Sequence, residues 1–227
     1  MKGKNQIIFC LIKFLIIGNV LGGNVLGQEK GNWDSSIGIG LLQITTSTLD
    51  LTYEFSNNPR YSMIVNPGYT MNYVQSLDFI GFFLSPHSKC GNDGYKMYNQ
   101  SGGFVKLGMK YNFRNSFEKT NYFYLGAFLT NSLIYEKAEY ENWDIPNSDA
   151  EFLSHKVFVS GLTGAVGYNF RFSEKFNSDV GVHISKPSKS YGDLYGYTNY
   201  IPGMGYMETC GKGGIFPMLI FTLKYGL

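Results

Sequence analysis

From Ile215 to Leu227 the side chains alternate with a period of two. Ile215, Pro217, Leu219, Phe221, Leu223, Tyr225 and Leu227 fall on one face, and Thr222, Lys224 and Gly226 are among those on the other. That period belongs to a β-strand, whose successive side chains point to opposite faces. An apolar face backed by lysine and threonine suits a strand with a greasy medium on one side and a wet interior on the other. Beyond the first thirty residues no apolar run approaches the roughly 18 residues that a membrane-crossing helix requires. If this chain crosses a membrane, it must do so as strands.

The alternation recurs upstream. Arg60–Val74 places Tyr61, Met63, Val65, Pro67, Tyr69, Met71 and Tyr73 against Ser62, Asn66, Gly68, Thr70 and Asn72. Gly103–Phe113 sets Val105, Leu107, Met109, Tyr111 and Phe113 against Lys106, Lys110 and Asn112. His155–Phe172 sets Phe158, Leu162, Val166, Tyr168, Phe170 and Phe172 against Gly161, Thr163, Ala165, Gly167, Asn169 and Arg171. Leu77–Ser85, Thr120–Tyr135 and Asn177–Lys186 complete the set. The region Ser35–Phe55 supplies the first strand, kinked near Thr45–Thr48, with Ser56–Pro59 as a tight first outer turn. Short connections at Gln75–Ser76, Arg114–Lys119 and Ser173–Phe176 alternate with long ones at Pro86–Gly102, Glu136–Ser154 and Pro187–Gly213. Short turns on one rim and long loops on the other are the habit of transmembrane barrels. The expected fold is all-β: a closed, antiparallel, up-and-down barrel of eight strands, or ten if the Tyr191–Tyr206 region adds a pair.

Lys2 and Lys4, an apolar stretch over Ile7–Ile17 and small residues at Gly22, Gly23 and Gly27 read as an export signal spanning residues 1–27, leaving residues 28–227 as the barrel domain. Removing that segment takes away Lys2, Lys4 and Lys13 and no acid, so the net charge falls from +2 to −1. Such a balance argues against nucleic acid, which needs a clustered positive field. Aromatics at 17% against only 16% charged residues suit a barrel with aromatic girdles. Cys90 and Cys210 lie in expected outer loops, and export makes a disulfide between them a candidate.

With these residues in view, the chain resembles the small, single-chain, eight-stranded outer-membrane β-barrel proteins of bacteria. In that family the last strand carries apolar residues at alternate positions counted from the terminus, read by the barrel-assembly machinery. Leu219, Phe221, Leu223, Tyr225 and Leu227 occupy those positions, with Leu227 where the family usually has an aromatic residue. The segments LDLTYEF, NNPRYSM and NPGY within Leu49–Tyr69 look like the opening hairpin of such barrels. The resemblance implies a bacterial outer-membrane location and contact with membrane lipid and lipopolysaccharide, and it carries no catalytic residue across.

The expected inward face holds Asp50, Glu54, Asp78 and Asp179 together with Lys106, Lys110, Arg171 and Lys224. Charges of both signs inside a barrel of about eight strands, whose interior side chains just fill, are expected to pair with one another. A narrow solute channel lined by them is the alternative. Three histidines raise a lipid-modifying enzyme. His183 shares a face with Asp179, yet four residues of strand separate them by about 13 Å, and His87 and His155 fall at strand ends. No metal-ligand spacing appears, and the acidic Glu136–Ser154 loop reads as solvated; no metal or other cofactor is expected. Tyr191, Tyr195, Tyr197, Tyr200 and Tyr206 among six glycines read as a recognition surface, or as packing that steadies the mouth. The leading expectation is a non-enzymatic, monomeric barrel serving envelope integrity or surface interaction. A soluble barrel holding an apolar ligand is disfavoured by Lys106, Lys110 and Arg171 on its would-be lining.

Overall fold

The computed structural model describes residues 34–73, 80, 84, 95–140, 151–188, 200–206 and 214–227. The expected signal segment and its boundary, Asp78, His87, Cys90, Cys210, Tyr191, Tyr195, Tyr197 and the Gln75–Ser76 turn lie outside the described residues, as do the side chains of His155 and Glu151.

Eight antiparallel strands close into a barrel: β1 (Asp34–Gly40), β2 (Thr48–Asn58), β3 (Tyr61–Tyr73), β4 (Tyr95–Asn112), β5 (Tyr122–Tyr140), β6 (Glu151–Arg171), β7 (Phe176–Pro187) and, after a short hairpin of β8 (Tyr200–Ile201) and β9 (Gly205–Tyr206), the closing strand β10 (Phe216–Gly226). Every barrel strand pairs with its neighbour in sequence except across β8 and β9, and β10 closes on β1 with Ser36 opposite Gly226 and Gly40 opposite Thr222. The ladder continues past the last strand residue, where Leu227 N–H donates to Ser35 O at 3.0 Å.

The eight strands are reached by a different division of the chain from the one the periodicity suggests. Ser35–Phe55 is two strands, β1 and β2, joined by a 3₁₀ turn over Leu42–Thr46 that ends at Ser47 in the left-handed region (φ 53°). Leu77–Ser85 is not a barrel strand, because β3 pairs directly with β4 from Tyr61 opposite Tyr111 to Tyr73 opposite Gln100. Within that segment the described residues Ile80 and Leu84 are helical. Nor does Tyr200–Tyr206 join the barrel; it forms its own hairpin. The turn at Pro59–Arg60 sits on the rim that also holds 113–121 and 172–175, not on the opposite rim with the long connections. A period of two cannot tell one kinked strand from a hairpin whose turn is itself apolar, and Leu41, Leu42 and Ile44 disguise this one.

The wall is uneven in height. β6 has 21 residues, about 70 Å of extended chain, whereas β1 has 7, about 23 Å. Where β1 stops, β10 would carry unpaired backbone. Leu41 N–H donates to Phe221 O at 2.8 Å, and the Gln43 side-chain amide donates to Leu219 O at 2.9 Å. The next residue facing that gap is Pro217, which has no N–H to strand.

Inward side chains interlock by size. Tyr124 reaches across to Gly167, where an added Cβ would overlap its ring, and Phe104 lies over Gly68 in the same way. Phe128 occupies the space beside Gly126 and Gly108. Large residues thus take the room that inward glycines leave, and the interior is filled, as eight strands allow. Gly68→Ala is expected to destabilise the barrel by about 1–3 kcal/mol, because Phe104 and the Leu49 carbonyl oxygen, 2.8 Å from the new carbon, confine it. Gly164→Ala, on the open outer face, is expected to be near neutral. Equilibrium unfolding in detergent or bilayers checks both.

Candidate functional site

Four charged side chains meet inside the barrel near its short-turn rim. Glu54 projects from β2, Lys110 from β4, Asp179 from β7 and Lys224 from β10, each from an inward position of its strand. Lys110 Nζ lies 2.5 Å from Asp179 and 3.1 Å from Glu54, and Lys224 Nζ lies 3.0 Å from each of the two carboxylates. Every anion touches both cations and every cation both anions. All four are buried, and the set carries no net charge. Around it, Asn169 donates to Asp179 at 2.7 Å and the Lys110 ammonium sits 4.3 Å from the Tyr124 ring centroid. Low dielectric strengthens each of these attractions, and the reciprocal pairing offsets the cost of removing four ions from water.

Further up the lumen, Asp50 accepts a hydrogen bond from Asn66 and stands 3.8 Å from Lys106, whose side chain is buried. Thr130, Thr163 and Ser185 form a chain of hydroxyl contacts at 2.9 Å each across β5, β6 and β7. Above that chain the hairpin Tyr200–Tyr206 is inserted into the mouth with all seven residues buried. Its turn is dictated by sequence: Pro202 and Gly203 occupy the centre, Gly203 at φ +77° as the third position of a type II turn demands, and Met204 N–H donates to Ile201 O at 2.9 Å. Ile201 and Met204 pack with Ile134, Val157, Val159 and Phe216, while Tyr200 and Tyr206 cluster with Tyr73 and Ile80. Gln100 donates to Tyr200 O at 3.0 Å.

The opposite end is closed by Arg114, which pairs with Asp34 at 3.0 Å, donates to Pro59 O at 2.9 Å and lies over the Tyr122 ring at 4.5 Å. From ion quartet to plug hairpin, then, the described lumen is occupied by side chains.

The outer face has the reverse chemistry. Tyr53, Tyr61, Met63, Leu107, Met109, Leu125, Leu129, Leu162, Val166, Val180, Ile184 and Leu219 point outward and are exposed. Toward the short-turn rim, ring follows ring across neighbouring strands: Tyr61, Tyr111 and Phe113 in one run, Phe123 with Tyr168, then Phe170, Phe172, Phe176 and Tyr225, with centroids 4.8–6.2 Å apart. Lys175 caps the last of these, its ammonium 3.2 Å from the Tyr225 hydroxyl.

Of the lumen charges expected from sequence, Asp50, Glu54, Lys106, Lys110, Asp179 and Lys224 come together inside. Arg171 does not. It follows the inward parity of β6 but stands at that strand's last residue, exposed on the rim, and donates to Glu174 O at 2.5 Å. Of the two readings the sequence leaves for Tyr200 and Tyr206, a recognition surface or packing that steadies the mouth, these two take the second: they are buried in the plug, where the turn at Pro202–Gly203 folds them back against Tyr73. Tyr73 itself faces inward, against the strand's alternation. Asn72 at φ 61° inserts a bulge between the pairings of Thr70 and Tyr73, and a one-residue shift reverses every face beyond it. His183 is buried with its ring 5.4 Å from Phe128, while Asp179 is committed to the lysines, so the two form no acid–base pair. Leu219, Phe221, Leu223, Tyr225 and Leu227 line the outward face of β10 and its end. Among the described residues no group of His, Cys, Asp and Glu could hold a metal ion. Sequence reasoning missed Arg114, Gln43 and Gln100; only the Pro202–Gly203 dipeptide gave an advance signal of the plug.

Lys110→Met removes two of the quartet's four contacts and leaves excess buried negative charge, at an expected cost of about 3–5 kcal/mol. Adding Asp179→Asn is expected to recover part of that loss, as measured by a double-mutant cycle on unfolding free energies.

No protein-family model matches the sequence, and a comparison with curated protein sequences finds no match. Among solved structures, Neisserial surface protein A (NspA) overlays at 12% identity over 85% of this chain and 93% of its own, with a TM-score of 0.41. The N-terminal β-barrel domain of Pseudomonas aeruginosa OprF overlays at 10% identity, 88% and 100% coverage and 0.39. A major outer membrane protein from Thermus thermophilus does so at 8% identity, 86% and 98% coverage and 0.39. The fold assignment stands on the strand registers of this chain itself.

Proposed function

We propose that the chain is a non-enzymatic β-barrel of the bacterial outer membrane, closed to solutes, whose long-connection end serves envelope integrity or surface interaction. One observation carries the reading: the barrel is inside-out, with paired charges in its centre and exposed aliphatic and aromatic side chains outside. In water an outer face of that kind would drive association; in lipid it is the favoured solvent contact, and the closed backbone ladder leaves no polar edge to the hydrocarbon. Twelve residues of β6 separate Phe170 from Phe158, about 30 Å along the barrel axis at the usual strand tilt, which suits a bilayer. Residues 1–27 would direct export, and Leu219, Phe221, Leu223, Tyr225 and Leu227 would present the outward pattern that assembly machinery reads. Lipid and lipopolysaccharide are the surroundings of a monomer needing no cofactor.

The filled lumen speaks against a channel, and the isolation of His183 from Asp179 speaks against a lipid-modifying enzyme. The full chain folded in detergent is expected to show heat-modifiable gel mobility and to give no conductance steps in planar bilayers. Free solubility without surfactant, or steady single-channel currents, would overturn the proposal. A disulfide between Cys90 and Cys210 across the long-connection end belongs to the same reading; non-reducing peptide mapping of exported protein is expected to recover the two as one linked pair, and two free thiols would remove it.

A further inference from the structure

The ion quartet has a second tier above it. Four residues toward the long-connection end along the same four strands, Glu54 gives way to Asp50 on β2, Lys110 to Lys106 on β4, Asp179 to His183 on β7 and Lys224 to Ile220 on β10. All four of these side chains face inward and are buried, about 10 Å higher along the barrel axis at the usual strand tilt. The tier repeats one anion and one cation of the quartet and replaces the other two. Its bonding is correspondingly incomplete. Lys106, 1% exposed, has Asp50 as its one charged partner among the described residues, at 3.8 Å, beyond hydrogen-bond reach, and its ammonium stands 5.3 Å from the Phe104 ring centroid. His183, 8% exposed, has no hydrogen-bond partner at Nδ1. Beside them the hydroxyls of Thr130, Thr163 and Ser185 carry one proton each but share only two contacts, so one O–H remains to be donated. Thr130 lies opposite Lys106 in the ladder and Ser185 lies two residues above His183, so that row spans the arc of wall between the two groups.

We infer that Lys106, His183 and the Thr130–Thr163–Ser185 row hold an ordered internal water, which completes this upper tier as Asp179 and Lys224 complete the lower one. The lower tier gives the reach. Lys110 on β4 meets Asp179 on β7 at 2.5 Å, and Lys106 and His183, displaced equally along the same two strands, are directed at each other across the lumen in the same way. The imidazole lies within electrostatic range of both ammoniums, Lys106 at its own height and Lys110 below. Chemistry then selects the ligand. The unmet groups are donors, at Lys106 and on the hydroxyl row, and a ring nitrogen that accepts when it carries no proton, so the ligand must both accept and donate. Charge speaks against an ion: Asp50 and Lys106 already cancel, and a chloride or a metal cation between them would be an unpaired buried charge. Water meets both conditions, and a buried water with two to four polar partners is an ordinary component of a packed interior, at roughly one per 27 residues. Phe128, 5.4 Å from the imidazole, and Met218, opposite His183 in the β7–β10 ladder, wall the site. The plug hairpin covers it from above, so the molecule exchanges slowly with bulk solvent.

The test uses the full chain, isotope-labelled and folded in detergent micelles, with water itself as the probe. Nuclear magnetic resonance is expected to show a cross-peak between water and the His183 Hε1 proton, with the sign of a contact that outlasts molecular tumbling; H183F identifies the resonance by removing it. The paired variant D50N/K106M, which keeps the tier neutral, is expected to abolish the cross-peak. K175Q, on the short-turn rim, is expected to leave it unchanged. Crystals of the unaltered chain grown in sodium bromide give a second reading that needs no variant. They are expected to show an oxygen within hydrogen-bond distance of Lys106 Nζ and His183 Nδ1, with no bromide anomalous signal there. Absence of the cross-peak in the parent, its retention in folded D50N/K106M, a matching loss in K175Q, or crystals in which both groups bond only to protein would overturn the site. A bromide peak between them would overturn the assignment to water. Where the paired variant does not fold, the crystal density alone decides. A chain that inserts into bilayers yet fails these tests refutes only this water, whereas free solubility without detergent refutes the membrane reading and leaves the site standing.

Discussion

The structure depends on the mutual neutralisation of four buried ions. Glu54, Lys110, Asp179 and Lys224 come from strands β2, β4, β7 and β10, so the quartet ties opposite sides of the cylinder at one level. Each ion alone would be far too costly to remove from water, and no subset of three is neutral. The consequence is a coupling between fold and register. A one-residue slip of any of these strands would turn its charge to the outer face and leave one of the three remaining ions uncompensated inside. The quartet therefore specifies the closed barrel more strongly than it stabilises it. The glycines and aromatics above it, Gly167 with Tyr124 and Gly68 with Phe104, are then free to fill the remaining space without polar demands.

A second constraint comes from the short β1. Closing a barrel with one strand too short to reach the upper rim opens a notch beside β10, and an unpaired backbone group left there away from water would cost about 2–7 kcal/mol. Three local devices fill it: the Leu41 amide, the Gln43 side chain used as a substitute backbone donor, and Pro217, which removes the need for an acceptor. The plug hairpin completes the repair from inside, where a carbon added at Gly205 would come 2.8 Å from Met218. Gln43 is thus explained by the wall and not by any ligand, a reason to attribute the neighbouring Thr46, Thr48 and Tyr200 hydroxyl contacts to structure as well.

These two constraints also separate what the sequence discloses from what it hides. Period-two alternation depends only on which solvent each face meets, so Lys106, Lys110 and Lys224 can be assigned inward, and Leu107, Leu219 and Tyr225 outward, without coordinates. Strand count is a weaker inference, because it needs the turns. The Leu42–Thr46 turn is as apolar as a strand, and a segment containing helical Ile80 and Leu84 reads as one, so two misdivisions compensate to give eight. Parity also fails wherever the backbone skips a beat. The left-handed Asn72 sends Tyr73 inward, and no pattern in the surrounding residues announces that bulge. Arg171 shows the converse: its parity is right, but its place at the end of β6 exposes it. Composition leaves Tyr200 and Tyr206 open between a recognition surface and packing at the mouth, and only the turn at Pro202 and Gly203, which folds these two inside, decides for packing.

The charge pairing and the long outer wall are consequently placed at different heights. The quartet and Arg114 lie near the short-turn rim, the plug fills the mouth, and the outward lysines sit on the extended β5–β6 wall, sharing no described contact with the quartet. Residues on the outer face above Ser160 make no contribution to charge balance in the lumen. They can change without disturbing the register that holds the barrel closed, which is the condition for an outer surface to acquire a partner. The same argument explains why the long strands are β4, β5 and β6. They form the uninterrupted run of hairpin neighbours opposite the notch, so additional residue pairs lengthen the ladder without requiring a new closure. On that extended wall the Lys156 and Lys137 ammoniums lie over the rings of Tyr135 and Phe152, on rigid sheet, while the described lumen is filled from quartet to plug.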